Sequence, residues 1–242
     1  MNTKLKLSLM TCTAAVLTAC GGGGGGSTAV NTAEGLWQGP SSTGATVTLA
    51  ILENGEAWGG ATFGKTLASA IAGTASGNGT SFYASGSEFV FRSNSVSTGS
   101  YSGTVTQKQR IQATSNIGST INLAYNLYYD QGVTAAEIAG NYSLSGRTTL
   151  YSIANMSLTI DTNGNFTIVD GGCTTTGLAT PRASGKAIVN VTATGAGNCA
   201  LGNGVVLSGI AVMDKSTTPN TLSVVALNSG KTDGLVLLGR KN

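Results

Sequence analysis

Apolar and small polar residues alternate along most of this chain. Val47, Leu49 and Ile51 are separated by Thr48 and Ala50, and Met156, Leu158 and Ile160 by Ser157 and Thr159. Alternation with a period of two sends every second side chain to one face, so each run predicts a strand with one buried side. Both runs lead into Asn-Gly, at Asn54-Gly55 and Asn163-Gly164. That dipeptide predicts a type I′ hairpin turn, because it tolerates positive φ at both central positions. Further strand candidates lie near Gly35, Ala57, Leu67, Phe82, Phe89, Tyr101, Ile111 and Leu123. In the second half they lie near Tyr142, Phe166, Thr175, Val189, Val206, Val224 and Val236.

The two Asn-Gly runs match at a constant offset of 109 residues. Upstream, Gly35-Leu36-Trp37 parallels Gly140-Asn141-Tyr142. Downstream, Tyr101-Ser102-Gly103 parallels Leu207-Ser208-Gly209. A shared aromatic, strand, turn and later Ser-Gly predict a tandem duplication. The expected organisation is a leader over 1–19, a tether over 20–33, a β domain over 34–130 and a second over 131–242. Short strands at roughly 8–12 residue spacing predict all-β domains, each a small antiparallel barrel of lipocalin-like kind or a sandwich.

Composition narrows the class. Glycine accounts for 36 of 242 residues and charged residues for 10%, against a usual charged share of ~25%. A helical enzyme is disfavoured, since helices need charged faces and tolerate interior glycine poorly. There is no histidine, which removes Ser-His-Asp and Cys-His catalysis and every histidine-containing zinc site. The expectation is a protein with no catalytic role, no cofactor and no metal. Without the leader, eleven basic residues face ten acidic ones, so no nucleic-acid surface is expected.

The leader has Lys4 and Lys6 before a short apolar stretch, Leu5 to Val16, the layout of an export signal. Leu17-Thr18-Ala19-Cys20 resembles the lipobox of bacterial lipoproteins, which implies acylation of Cys20 and a membrane held through lipid. Gly21 follows where an inner-membrane retention signal commonly has Asp, so the resemblance implies the outer membrane, on its periplasmic or its outer side. Gly21 to Gly26 are consecutive glycines, a flexible tether. A tether behind a lipidated cysteine resembles the start of surface lipoproteins such as factor H binding protein and transferrin-binding protein B. That likeness ends with the linker.

Cys173 and Cys199 are the cysteines left in the folded part. In an oxidising compartment they are expected to form a structural disulfide. Gly59 to Thr66 fits the phosphate-binding P-loop pattern, yet no long helix follows Lys65-Thr66, so a glycine-rich strand and turn is the expectation. Tyr125, Tyr128 and Tyr129 form a candidate binding surface on a strand running through Leu123 to Tyr129, with Tyr125 and Tyr129 on one face. Barrel wall is the plainer reading of these rings. Glu53, Glu56, Asp161 and Asp170 flank the hairpin turns and are expected to be solvated rather than paired across a cleft.

Gly35-Leu36-Trp37-Gln38-Gly39, Gly172-Cys173-Thr174, the run Ala179 to Gly185 and Thr232-Asp233-Gly234-Leu235 together resemble a group of uncharacterised proteobacterial outer-membrane lipoproteins. The resemblance implies fold and location and carries no activity. The functional expectation is a lipid-anchored envelope protein with a structural or binding role, its partner an envelope or host protein or a glycan. The alternative is a lipocalin-like carrier with a small apolar ligand inside a barrel. An enclosed apolar space of several hundred Å³ would favour the carrier, and a filled core the binding surface.

Overall fold

In a computed structural model, residues 31–242 are described except 92, 149 and 150. The expected leader, the Cys20 lipidation site and the glycine run lie outside the described residues. The first eight strands are β1 (Gly35–Pro40), β2 (Thr46–Ile51), β3 (Glu56–Phe63), β4 (Thr66–Asn78), β5 (Ser81–Val90), β6 (Ser95–Thr106), β7 (Arg110–Ser115) and β8 (Thr120–Tyr125). The next eight are β9 (Gly140–Thr148), β10 (Ser152–Ile160), β11 (Asn165–Asp170), β12 (Cys173–Pro181), β13 (Ile188–Gly197), β14 (Val206–Asp214), β15 (Thr221–Asn228) and β16 (Gly234–Lys241). Each set is an antiparallel meander closed into a barrel, with no sandwich. In the first, β8 meets β1 at Trp37↔Tyr125 and Gln38↔Ala124. In the second, β16 meets β9 from Leu235↔Thr148 to Lys241↔Tyr142.

Strand register repeats between the two barrels. Gly35, Leu36 and Trp37 face Ile51, Ala50 and Leu49, while Gly140, Asn141 and Tyr142 face Ile160, Thr159 and Leu158. Trp37 Nε1 donates to Ala33 O, and Tyr142 OH donates to Ile138 O, each at 2.8 Å. Ala33 and Ile138 are both wholly buried. In both copies, then, the residue entering the barrel plugs its lower end and is held there by the first inward aromatic. Ile138 ends a one-turn helix, α1 (Ala135–Ile138), whose Thr134 and Glu137 form a capping box.

The paired Asn-Gly turns are also alike, but they are not type I′. Only glycine takes positive φ, +84° at Gly55 and +86° at Gly164. Gly55 N donates to Leu52 O and Leu52 N to Glu56 O; Gly164 N donates to Asp161 O and Asp161 N to Asn165 O. This is the three-residue loop in which a type I turn is followed by a left-handed glycine. The glycine carbonyls then accept from Ala75 N and Ala179 N, both at 2.8 Å. The turn is thus stitched to β4 or β12 as well as to its own hairpin.

Two strand expectations change. Phe82 and Phe89 lie on one ten-residue strand, β5. The run through Leu123 to Tyr129 stops at Tyr125, because Asn126 Oδ1 accepts from Tyr128 N and starts a 3-10 turn over Leu127–Asp130. The P-loop match is a hairpin, with Gly59 to Phe63 on β3, Gly64 and Lys65 in the turn, and Thr66 opening β4.

Most inward positions are apolar in both barrels. Outward positions on β7 (Arg110, Gln112, Thr114) and β13 (Asn190, Thr192, Thr194) are exposed and polar, the inverse of a barrel that faces lipid. Among the described residues no helix is long and apolar enough to cross a membrane. Apolar outward residues occur where the barrels meet. Ala70, Ala72, Phe89 and Phe91 of the first pack with Val225, Leu227 and Val236 of the second. Leu36, Ala50 and Leu52 pack with Ile188 and Ile210 around Tyr129.

Cys173 and Cys199 form a disulfide, 26 residues apart in sequence. It ties the outer end of the β12–β13 hairpin, next to the Cys173↔Gly197 pair.

Candidate binding cavity

The upper half of the first barrel is hollow. A cavity of about 330 Å³ opens between the β1–β2 and β7–β8 loops, with Val47, Leu49, Ile71, Phe82 and Ile121 on its walls. Beneath it Trp37, Ile51, Ala75, Val105, Ile111 and Leu123 pack into a floor. The second barrel has only about 50 Å³ of internal space, bounded by Leu158, Phe166, Ile168 and their neighbours.

Side-chain size at matched positions accounts for the difference. Ile51 pairs with Ala57 and Leu49 with Gly59 in the first barrel. The corresponding pairs in the second are Ile160 with Phe166 and Leu158 with Ile168. Phenylalanine and isoleucine fill one copy where alanine and glycine leave the other empty. Three further glycines thin the wall of the first barrel: Gly73 faces Gly86, and Gly86 faces Gly99. All three border the cavity. A Cβ at Gly73 would sit 2.1 Å from Ser85 O, so the strands approach too closely there for any side chain.

The mouth is polar. Ser41, Thr43, Ser97, Thr98, Ser115, Asn116 and Ser119 ring it, and among the described residues Glu88 is the one charged residue in the lining. Ser69, almost wholly buried, donates its hydroxyl to Glu88 Oε1 at 2.6 Å. Tyr101 also lines the space, its hydroxyl pushed above the usual phenol range by burial and then by the nearby Glu88 charge. Asn116 is held at the rim, where its Oδ1 accepts from Ser100 N.

The three tyrosines singled out from the sequence lie elsewhere and do not form one open face. Tyr129 is 1% exposed and sits in the joint between the barrels, donating to Glu34 Oε1 at 3.1 Å. Tyr125 stacks edge-on against Trp37 and donates to Asp130 Oδ2. Tyr128 is exposed, and Tyr125 is half-buried. The phenols of Tyr129 and Tyr125 are both raised, first by burial and then by their carboxylate partners. Asp130 also accepts from Lys108 at 2.8 Å and Lys186 at 2.7 Å. Burial pushes its carboxyl up, but the hydrogen bonds from Lys108, Lys186 and Tyr125 outweigh that and hold it down at about 2.

Three of the four turn acids have partners, Glu56 accepting from Trp58 Nε1 at 3.3 Å, while Asp170 is exposed. Glu53 pairs with Arg182 Nε across the joint at 2.8 Å. Asp161 Oδ1 accepts from Asn163 N and Asn165 N, capping its own turn. Among the described residues no group of three or more His, Cys, Asp or Glu side chains is arranged to hold a metal. Glu88, which lines the cavity mouth, and Ser69, which holds it, were not singled out from the sequence. The signal for them was the recurrence of inward-facing glycine at Gly73, Gly86 and Gly99, thirteen residues apart.

No family model and no curated protein matches the chain. Among solved structures there is a likeness to a candidate outer membrane protein of Bacteroides fragilis. Identity is 11%, with 86% of this chain and 96% of that chain covered, at a TM-score of 0.24. At that TM-score the likeness carries no inference for this chain.

Proposed function

We propose that this protein is a non-catalytic, lipid-anchored protein of the cell envelope whose first barrel carries a small, largely apolar ligand. The second barrel is its solid partner. The observation that supports this reading is the contrast between a 330 Å³ cavity in one copy and a 50 Å³ remnant in the other. Ligand sites typically start at ~300 Å³ and combine apolar walls with a few polar groups. The hollow barrel favours the carrier over a role resting on surface contacts with an envelope or host protein or a glycan.

Anchoring rests on the lipobox at Cys20 and the glycine tether. The chain enters the first barrel at its plugged end, where Asn31 Nδ2 donates to Ala75 O and Asn31 Oδ1 accepts from Gly77 N. The mouth lies at the opposite end, beside Ser41 and Asn116. Lipid on Cys20 would therefore attach through the end of the first barrel opposite the mouth and leave the mouth free for ligands in the aqueous phase.

Titration of the mature protein with the neutral fluorophore N-phenyl-1-naphthylamine tests the reading. Saturable binding of one probe per chain, lost in Ala57→Phe, is the expected result. Absence of saturable binding, or binding unaffected by that substitution, would overturn it.

A further inference from the structure

Glu88 sits near the mouth end of β5, two positions beyond Gly86 on the same inward face. Among the described residues it is the only charged one lining the cavity. Ser69 fixes one of its oxygens from behind, at 2.6 Å. None of the four ion pairs among the described residues involves Glu88. A carboxylate over an apolar chamber, with no cation paired to it among the described residues, is electrostatically incomplete. It attracts a positive group and repels an anionic one.

The layout of the chamber has a direction. Glu88 stands above, while Leu49 and Phe82 lie on the walls further down. Gly86 and Gly99, paired across β5 and β6, border the cavity next to Glu88 without side chains. A matching ligand has a cationic head near the mouth and an apolar body below.

Resting on the carrier reading above, we propose that the first barrel selects small cationic amphiphiles, protonated amines or guanidines with an apolar body, through Glu88. Fatty acids and other anionic amphiphiles are disfavoured by the same carboxylate. Ser69 is a positioning residue that keeps the Glu88 carboxylate turned along the wall.

Calorimetric titration of the mature protein at pH 7 with octylamine, octanol and octanoate tests this, since the amine is charged at that pH. Octylamine is expected to bind at least about tenfold more tightly than octanol, with octanoate weakest. In Glu88→Gln the amine should fall to the octanol level, with an unchanged melting temperature showing the barrel intact. An amine that binds no better than octanol, or a preference that survives Glu88→Gln, overturns the ligand class and leaves the carrier reading standing. If none of the three binds, the carrier reading falls and this inference with it.

Discussion

Ala57 and Phe166 occupy one position in two copies of a barrel, each paired across its hairpin with an inward isoleucine, Ile51 or Ile160. That exchange of a methyl for a benzyl group, together with Gly59 for Ile168, separates a hollow barrel from a filled one. Duplication supplies a ready explanation for how a chain can hold both. One copy retains a packed core and its stability, which leaves the other free to give up packing for space.

Exchanging the two residues should exchange the behaviour. Ala57→Phe places a ring in the cavity and should abolish binding of N-phenyl-1-naphthylamine with no loss of melting temperature. Phe166→Ala should cost about 3–5 kcal/mol in urea denaturation, as large-to-small core changes do. It should also open a space in the second barrel.

The barrels should unfold together. Phe89 and Phe91 from the first pack against Val225, Leu227 and Val236 of the second, and Arg147 lies 5.6 Å over the Phe91 ring. Calorimetry of the wild-type protein should give one transition. Leu227→Asp, which sets a charge in that joint without entering either barrel interior, should split it into two.

Asp130 should shape stability at low pH. Its folded carboxyl is held at about 2, below the ordinary value of 3.8. A lowered folded pKa means the contribution is present above about pH 4 and is lost as pH falls toward 2. Asp130→Asn should lower stability at pH 7 by about 1–2 kcal/mol, discounted because the group is partly exposed. The variant should also show a flatter stability profile between pH 4 and 2 in urea titrations.

The disulfide should matter chiefly to the second barrel. Closing a 26-residue separation is worth about 3–4 kcal/mol in the chain-entropy account. The double change of Cys173→Ser and Cys199→Ser should lower stability by that amount, read by urea denaturation. Binding of the fluorophore in the first barrel should persist below the new transition.

Much of the architecture was legible because alternation reports burial directly. Leu49 and Ile51, like Leu158 and Ile160, announce one buried face and hence a strand. Closure was not legible, since alternation cannot say whether the last strand reaches the first; the Trp37↔Tyr125 pair decides that. The joint was hidden for a related reason. Trp58, Phe89 and Val225 are apolar at outward positions, and a local pattern does not distinguish a barrel's own core from a neighbour's wall. Tyr129 was misplaced because Asn126 diverts the backbone into a 3-10 turn. The cavity depends on what inward side chains lack, at Ala57, Gly73 and Gly86, and small residues register in sequence as turn formers before they register as space.

The measurement that bears most directly on the carrier reading is a set of intermolecular NOEs between bound N-phenyl-1-naphthylamine and the methyl groups of the isotopically labelled protein. Contacts to Val47, Leu49 and Ile71, with none to Leu158 or Ile168, are predicted. Contacts confined to the second barrel, the joint or the outer wall, or no contacts at all, would contradict it.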